Sequence, residues 1–235
     1  FHVYEEPGTY TATLRVYDSM SKEEIINMQE TFTITVADPD LFFAGEKTTC
    51  ITDTTQNDFS GCPSGATQLA TDDLSILPSI TESGERVLFD RGSRWDMITN
   101  TYEHYTTVVG PVQLAAYGDC QNPNFQGICG NAPVINIVYD SYIASPFPMY
   151  RKHDWRFVDL KFTTDSSDVN GVMGGNTDIR DWLVLRMDAS DFSSSPAGNS
   201  IWRTRDGDTL KNIAFVSCNV TNIDGDLYIH RNNNI

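Results

Sequence analysis

The decapeptide DWRFVDLKFT, residues 154–163, has two variant copies further along the chain, and the three copies together decide the fold. The second copy is DWLVLRMDAS, residues 181–190, and the third is NIAFVSCNVT, residues 212–221. Their starting points lie 27 residues apart (154 to 181) and 31 residues apart (181 to 212). A single strand-rich unit cannot bury its apolar side, so the copies are expected to stack as successive coils of a solenoid.

Alignment of the three copies produces columns of apolar residues separated by polar columns. The apolar columns are Trp155, Trp182 and Ile213; Val158, Leu185 and Val216; Leu160, Met187 and Cys218; and Phe162, Ala189 and Val220. The polar columns, which are expected to face solvent, are Asp159, Arg186 and Ser217, and Lys161, Asp188 and Asn219. The predicted core stack contains the first and third apolar columns. Cys218 shares its column with Leu and Met, which predicts a small buried apolar residue without a disulfide partner.

Strand-like sequence dominates the chain from residue 41 onward. Apolar runs predict strands over 86–89, 112–117 and 134–139. The best helical candidate, residues 72–78, is short and is broken by Pro78. An antiparallel sandwich has a strand every 8–12 residues, and the repeated units recur at about three times that interval. Parallel, in-register stacking of the copies therefore predicts an all-β protein that contains a parallel β-helix.

Three further segments carry a resemblance to a known family. They are GERVLFDRGSRW at 84–95, PVQLAAYG at 111–118 and NAPVI at 131–135. This series resembles the early segment of secreted right-handed β-helix proteins of the pectate-lyase-like superfamily, in which a Leu-Phe strand precedes a strand that ends in a Tyr-Gly turn. The resemblance covers about residues 65–235 at the level of fold. It implies that 65–235 form the N-terminal coils of a right-handed parallel β-helix.

The first forty residues alternate apolar and polar side chains with a period of two, which predicts a pair of strands. YEEPGTY at 4–10, LRVYD at 14–18 and a last strand ending at Val36 resemble the C-terminal half of a PKD domain, an immunoglobulin-like β-sandwich module. The earlier half of such a module is missing, so we expect the chain to be a fragment. Residues 1–38 are thus interpreted as a partial PKD-like module, and 39–64 as a linker and disulfide loop. A generic β-hairpin packed on the main domain is the alternative.

Four of the five cysteines bracket short polar loops. Cys50 and Cys62 enclose one loop, and Cys120 and Cys129 enclose the other. We predict disulfides Cys50–Cys62 and Cys120–Cys129, each of which would stabilise the fold by about 2–3 kcal/mol. A zinc site is the rival interpretation, but it needs CxxC-like pairs or a nearby His, and neither loop has them. Disulfides indicate an oxidising compartment, so the protein is expected to be extracellular or at the cell surface.

The charge of the chain excludes several classes of partner. It has 16 basic and 32 acidic residues, with a formal net charge of -16. Binding to a phosphate backbone requires clustered Lys and Arg, so a nucleic-acid partner is not expected. An anionic membrane surface is disfavoured for the same reason. The sequence has no apolar run of 18 residues, so membrane insertion by a helix is not expected.

The β-helix resemblance implies chemistry on acidic polysaccharides, by β-elimination or by hydrolysis. No catalytic motif of such enzymes can be matched residue by residue, so no catalytic residue is assigned. Asp206, Asp208, Asp224 and Asp226 form two Asp-Gly-Asp turns that flank the third copy. Their carboxylates suit Ca²⁺, which is the one cofactor predicted, although Asp-Gly is also a plain turn sequence.

Three weaker signals have plainer interpretations as well. Residues 151–154, Arg-Lys-His-Asp, form a titratable group that is also typical of a solvated turn. His230 and Arg231 form a smaller group near the end of the sequence. Asn219-Val220-Thr221 matches the N-glycosylation pattern, and such short matches often arise by chance.

Two functions follow from these observations. The first is a secreted or cell-surface protein that binds or degrades a polysaccharide or surface glycan, or the non-catalytic front part of such a protein. The second is a structural or adhesive surface protein, a spike or filament subunit without enzyme activity. The second predicts self-association through the ends of the β-helix, where strand edges are open to pairing.

Overall fold

The computed structural model describes residues 6–25, 29–99, 109–139, 147–150, 153–164, 172–176, 179–192, 202–204, 210–222 and 228–230. The chain divides into two compact units, Phe1–Ala44 and Gly45–Ile235. The strands are β1 (Gly8–Leu14), β2 (Glu30–Val36), β3 (Thr48–Thr52), β4 (Thr67–Ala70), β5 (Arg86–Asp90), β6 (Arg94–Thr99), β7 (Val112–Tyr117), β8 (Val134–Tyr139), β9 (Phe147–Tyr150), β10 (His153–Val158), β11 (Lys161–Thr164), β12 (Met173–Asn176), β13 (Ile179–Leu185), β14 (Asp188–Ser190), β15 (Trp202–Thr204), β16 (Leu210–Val216), β17 (Asn219–Thr221) and β18 (Tyr228–His230). The helices are α1 (Pro39–Phe42) and two 3-10 helices, Gly45–Lys47 and Leu74–Ser79. None of the described helices is long and apolar enough to cross a membrane.

The first unit contains an antiparallel hairpin and α1. β1 pairs with β2 in the register Gly8 to Val36 and Leu14 to Glu30, so the predicted strand pair is confirmed. Alternating Thr and apolar residues favour this extended backbone, because β-branched and aromatic side chains fit a pleated surface. α1 begins after Asp38, whose side chain accepts a hydrogen bond from the backbone N–H of Asp40.

The second unit consists of three parallel sheets that the chain visits in rotation. The seven-stranded sheet has the order β16-β13-β10-β7-β5-β3-β4, the five-stranded sheet β17-β14-β11-β8-β6, and the four-stranded sheet β18-β15-β12-β9. From β7 onward the chain passes through the seven-, five- and four-stranded sheets in that order four times. This all-β arrangement with few helices is compatible with a β-helix, and each passage is called a coil below.

The repeated copies stack in the register that the sequence predicts. Trp155 lies opposite Trp182, which lies opposite Ile213, and their neighbours in β10, β13 and β16 follow the same register. The Trp155 and Trp182 rings stack with centroids 6.1 Å apart and planes inclined by 22°. Leu160 and Met187 are also fully buried, whereas Ile213 and Cys218 in the last copy are half-buried. The core stack thus runs along the axis of the three sheets.

Each copy contains two strands joined by a sharp turn, which changes one expectation. The turn residues Asp159, Arg186 and Ser217 have positive φ angles of 61°, 49° and 53°. Val158, the residue before the first of these turns, packs against an outer cluster that includes Leu88. Asp159 is only 9% exposed. The expectation that its whole column faces solvent is therefore wrong, because turn residues of stacked coils lie against one another.

The region that precedes the predicted β-helix contributes to its main sheet. β3 lies within residues 39–64, the segment interpreted as a linker and disulfide loop, and it pairs in parallel with β4 and β5. Thr48, Cys50 and Ile51 of β3 are buried. Three threonines and an isoleucine in five residues favour a strand, so the loop proper begins after Thr52.

Candidate functional site

Two disulfides fix two loops on the second unit. Cys50 and Cys62 are bonded with a Cα–Cα distance of 6.2 Å, and Cys120 and Cys129 with a Cα–Cα distance of 5.2 Å. These are the two predicted pairs. Cys218 is a free, half-buried cysteine, and burial raises the pKa of its thiol. Its Sγ donates to the carbonyl oxygens of Val184 and Val216 at 3.5 and 3.4 Å.

The first disulfide loop, residues 50–62, covers part of the outward side of the seven-stranded sheet. Leu88, Ala115 and Tyr117 form an apolar cluster there with Cys50, and Phe59 of the loop packs on it. The Tyr117 hydroxyl donates to the carbonyl oxygen of Asp58 at 2.7 Å, which anchors the loop to the sheet. Burial and nearby carboxylates raise the pKa of Tyr117. The loop therefore covers an apolar cluster on the outward side of the sheet.

A buried polar corner lies beneath the same loop. Asp90 is 5% exposed, and its Oδ2 accepts hydrogen bonds from Ser93 Oγ at 2.9 Å and Thr52 Oγ1 at 3.2 Å. Burial nevertheless raises the pKa of Asp90. Asp53 accepts from three backbone N–H groups, those of Thr55, Gln56 and Arg94. Asp90 Oδ2 and both carboxylate oxygens of Asp53 are thus engaged inside the fold, where they hold the turn.

An ionic cluster joins the turn between β5 and β6 to the corresponding turns of two later coils. The Asp159 carboxylate lies between Arg91, whose Nη2 donates to Oδ2 at 2.8 Å, and Arg186, whose Nε donates to Oδ1 at 2.5 Å. Arg91 Nε also donates to the carbonyl oxygen of Gly118 at 3.1 Å. The three side chains are between 8% and 16% exposed. Charges this well paired and this buried are typical of structural clusters.

The outward side of the five-stranded sheet carries a regular array of mostly polar side chains, and we call it the polar face. Its two rows are Arg94, Val134, Lys161, Asp188 and Asn219, and Asp96, Asn136, Thr163, Ser190 and Thr221. The inward side of the same strands carries Trp95, Ile135, Phe162 and Ala189, all of them buried. The alternation follows from the period of two along each strand.

Hydrogen bonds connect the polar face from strand to strand. Lys161 Nζ lies 3.1 Å from Asp188 Oδ2, and Asn219 Nδ2 donates to Asp188 Oδ1 at 2.8 Å. In the other row Asn136 Nδ2 donates to Asp96 Oδ1 at 2.8 Å, and its Oδ1 accepts from Thr163 Oγ1 at 3.0 Å. The side chains are thereby held in defined rotamers. Arg94, Asp96 and Thr221 are exposed and Lys161, Thr163, Asp188 and Asn219 are half-exposed, which leaves these polar groups accessible from outside. Asn136 and Ser190 of the second row are buried, at 1% and 9% exposure.

The second disulfide loop, residues 120–129, presents a large aromatic side chain to solvent. Phe125 at its tip is 96% exposed. Asn124 Oδ1 accepts from the backbone N–H groups of Gln126 and Ile128 at 2.9 and 3.0 Å, and its carbonyl oxygen accepts from Gly127 N–H at 2.9 Å. The tip is thus a closed, hydrogen-bonded turn.

The predicted ligand and titratable residues fall in two groups. Asp206, Asp208, Asp224 and Asp226, together with Arg151, Lys152 and Arg231, lie outside the described residues. Asp154 is described: it lies near the start of β10, has a φ of 53°, and its Oδ1 accepts from Arg156 Nη2 at 2.7 Å. Among the described residues, no three His, Cys, Asp or Glu side chains are placed to share a metal ion.

Sequence reasoning missed two of these features. The Asp159 cluster had a signal, since Asp159 and Arg186 carry opposite charges in one column of the aligned copies. Phe125 also had one, because residues 120–131 contain no charged residue although the chain has 48 charges, 16 basic and 32 acidic.

Comparisons of the chain with protein-family models, with curated proteins and with solved structures find no match.

Proposed function

We propose that this chain belongs to a secreted or cell-surface protein in which a right-handed parallel β-helix binds polysaccharide through its polar face. Three parallel sheets visited in rotation support the β-helix. Connections between parallel strands are almost always right-handed, which supports the hand. Two disulfides support an oxidising compartment. The PKD-like sequence of residues 1–38, a module common in secreted proteins, agrees with that location.

The polar face is the observation that carries the proposal. Strands of one sheet lie about 4.8 Å apart, so the accessible polar side chains of β6, β11, β14 and β17 are spread over about 19 Å. β8 interrupts the row, because Val134 is apolar and Asn136 is buried. Amides, hydroxyls and carboxylates in such a row suit the hydroxyl groups of an extended glycan. The side chains are already oriented by their own hydrogen bonds, which reduces the entropy lost on binding.

Acidic polysaccharides are one substrate class within the proposal, and cleavage is one outcome. Lys161 and Arg94 supply positive charge on the polar face, next to Asp188 and Asp96. The net charge of the chain repels a polyuronate, so a bound Ca²⁺ or this local cation pair would have to offset the repulsion. A lyase would also require a base that removes the proton at C5 of the uronate.

The test incubates the chain with soluble acidic and neutral polysaccharides in the presence of Ca²⁺. Binding is measured by affinity electrophoresis, and released oligosaccharides are identified by mass spectrometry. Retardation by a glycan supports the binding function, and unsaturated uronate ends add lyase activity. If no polysaccharide of the panel is bound or cleaved, glycan binding is excluded and the structural function below takes its place.

The second candidate is a structural or adhesive surface protein that associates end to end. The last described coil favours it, because Ile213, Phe215, Cys218 and Val220 are half-exposed. Their counterparts Trp182, Val184, Met187 and Ala189 are buried. β16, β17 and β18 also stand at the edges of their sheets. A second copy that stacks on this end would bury the apolar side chains and pair the strand edges.

A further inference from the structure

The second disulfide loop is uncharged and rich in amide side chains. Residues 120–131 contain five Asn and Gln side chains, one Phe and no charged residue, in a chain of net charge -16. Phe125 lies in the middle of this segment and is almost fully exposed. Isolated exposed apolar residues are ordinary on protein surfaces. The neutral, amide-rich surroundings and the rigid support described next distinguish this residue from an ordinary exposed side chain.

A disulfide and two hydrogen bonds hold the base of the loop together. The Cys120–Cys129 disulfide closes it. Gly130 N–H donates to the carbonyl oxygen of Gln121 at 2.7 Å, and Gln121 N–H donates to Asn131 Oδ1 at 2.9 Å. With the hydrogen-bonded turn around Asn124, these contacts fix the backbone on both sides of Phe125. The loop therefore loses little conformational freedom when Phe125 binds a ligand.

The loop also contacts coils that lie far from it in the sequence. Gln126 Nε2 donates to the carbonyl oxygen of Cys218 at 3.4 Å, although the two residues are 92 positions apart. Gly127 packs closely on Arg186, and a Cβ at Gly127 would lie 3.2 Å from Arg186 Cδ. Gly127 has a φ of 81°, so a larger residue would be both strained and crowded there. Phe125 consequently projects from a support that is fixed to the body of the second unit.

The chemistry of the loop selects one kind of ligand. The face of an aromatic ring carries partial negative charge and attracts the weakly positive C–H groups of a sugar ring. Amides can both donate to and accept from sugar hydroxyls, and Gln121 and Asn122 are exposed. The amides of Asn124, Gln126 and Asn131 are engaged in hydrogen bonds within the fold. Uronates and lipid phosphates would need cations, and residues 120–131 have none. Arg186, which lies beside Gly127, is already paired with Asp159. The loop thus matches a ligand that has an apolar face and many hydroxyls but no charge.

We propose that Phe125 is a stacking platform for a sugar ring of a neutral glycan, with the exposed amides of Gln121 and Asn122 as hydrogen-bonding partners. This inference rests on the proposed function, glycan binding, and gives it a second contact site and a substrate class. A protein partner that uses Phe125 as an apolar anchor is the competing occupant, and the experiment below distinguishes the two.

The test measures dissociation constants for soluble β-glucan, xylan and galactomannan, with oligogalacturonate as the charged probe. Four proteins are compared: wild type, Phe125→Ala, Phe125→Trp and Met20→Ala. Met20 is 93% exposed in the first unit, so Met20→Ala controls for loss of an exposed apolar side chain. Thermal unfolding verifies that each variant is folded. We expect Phe125→Ala to weaken neutral-glycan binding at least tenfold, whereas Phe125→Trp and Met20→Ala bind like wild type.

Each other outcome has a definite meaning. If wild type and Phe125→Ala bind a neutral glycan equally, the platform is excluded and glycan binding through another surface stands. If only oligogalacturonate is bound, the neutral class is excluded. If no glycan is bound, both this inference and the proposed function fail, and a protein partner for Phe125 takes their place.

Discussion

Arg186 forms two hydrogen bonds with the carboxylate of Asp159, a residue 27 positions earlier at the same place in the preceding coil. Nε donates to Oδ1 at 2.5 Å and Nη2 to Oδ2 at 3.2 Å, and Arg91 bonds the same carboxylate from the other side. The cluster is close to nine-tenths buried. It joins coils whose strands are far apart in the sequence, so it resists their separation.

Removal of the Asp159 charge is expected to destabilise the second unit. Asp159→Asn leaves two largely buried guanidinium groups without their counter-charge, and breaking such a buried cluster typically costs about 3–5 kcal/mol. Because the cluster retains slight exposure, we expect the free energy of unfolding to fall by about 2–4 kcal/mol. Urea denaturation followed by tryptophan fluorescence measures this loss.

The control is the Asp154–Arg156 pair, whose side chains are 38% and 39% exposed. Exposed ion pairs contribute about 0–1 kcal/mol, so Arg156→Gln should change the free energy of unfolding by less than about 1 kcal/mol. If Asp159→Asn and Arg156→Gln lower the free energy of unfolding equally, the buried cluster stabilises the fold no more than an exposed ion pair does.

The repeats were sufficient to predict the register of the coils but not the cluster at their turns. Trp155, Trp182 and Ile213 align in the structure as they do in the sequence, because side chains at one position of each coil must fill the same core. The position of Arg91 could not be derived in this way, since it lies 68 residues before Asp159 and outside the repeats.

The same limit applies to the candidate sites. The polar columns of the repeats already contain Lys161, Asp188 and Asn219, so part of the polar face follows from the sequence. Asp96 and Asn136 join it from strands outside the repeats, through pairing that no local pattern reveals. The Ca²⁺ prediction at the Asp-Gly-Asp turns stays a prediction, because those residues lie outside the described parts of the chain.

Asp90 is expected to make the stability of the fold depend on pH. Burial raises its pKa in the folded state, so the folded protein binds a proton more readily at this site than the unfolded chain does. The contribution of Asp90 is therefore most favourable below the unfolded pKa and is lost as pH rises through the folded pKa. In Asp90→Asn the amide oxygen can replace Oδ2 as acceptor for Ser93 and Thr52. We expect this variant to gain stability over wild type at neutral pH.

The pH dependence of that gain is the decisive measurement. Melting temperatures are recorded from pH 8 down to pH 3. The difference in melting temperature between Asp90→Asn and wild type should decrease as the pH falls, because Asp90 of the wild type becomes protonated. Asp73→Asn is the control of opposite sign, because hydrogen bonds from Ser75 lower the pKa of Asp73. Asp73→Asn should be less stable than wild type at neutral pH and equal to it in acid. A pH-independent difference for Asp90→Asn would contradict the prediction.

The two disulfides and the free thiol can be tested together by peptide mapping without reduction. The maps should contain Cys50 joined to Cys62 and Cys120 joined to Cys129. Cys218 should react slowly with an alkylating reagent at neutral pH in the folded protein, because burial raises the pKa of its thiol and the thiolate is the nucleophile. It should react rapidly in urea. Rapid alkylation without urea, or any other pairing, would contradict the structure at these residues.

Lys161 provides the test of the polar face. Lys161→Ala removes an ion pair with Asp188 that is partly solvent-exposed, so the free energy of unfolding should change by less than about 1 kcal/mol. We expect its affinity for the bound polysaccharide to fall several-fold, because a donor at the centre of the row is lost. Lys211→Ala is the matched control, since Lys211 is exposed on β16 of another sheet. Equal affinities of the two variants would move the glycan site away from the polar face.

Self-association through the last described coil would leave a concentration-dependent signature. Val220 belongs to a core column, yet it is half-exposed on β17 at the edge of the five-stranded sheet. If a second copy stacks there, Val220→Lys places a charge in the new interface and should abolish the association, because a charge buried without a partner is strongly unfavourable. Thr221→Lys puts the same charge on the neighbouring outward position and should leave the association intact. Analytical ultracentrifugation from micromolar to near-millimolar concentration distinguishes the three proteins. A wild-type chain that remains monomeric throughout that range would rule out the spike or filament function for this end of the fold.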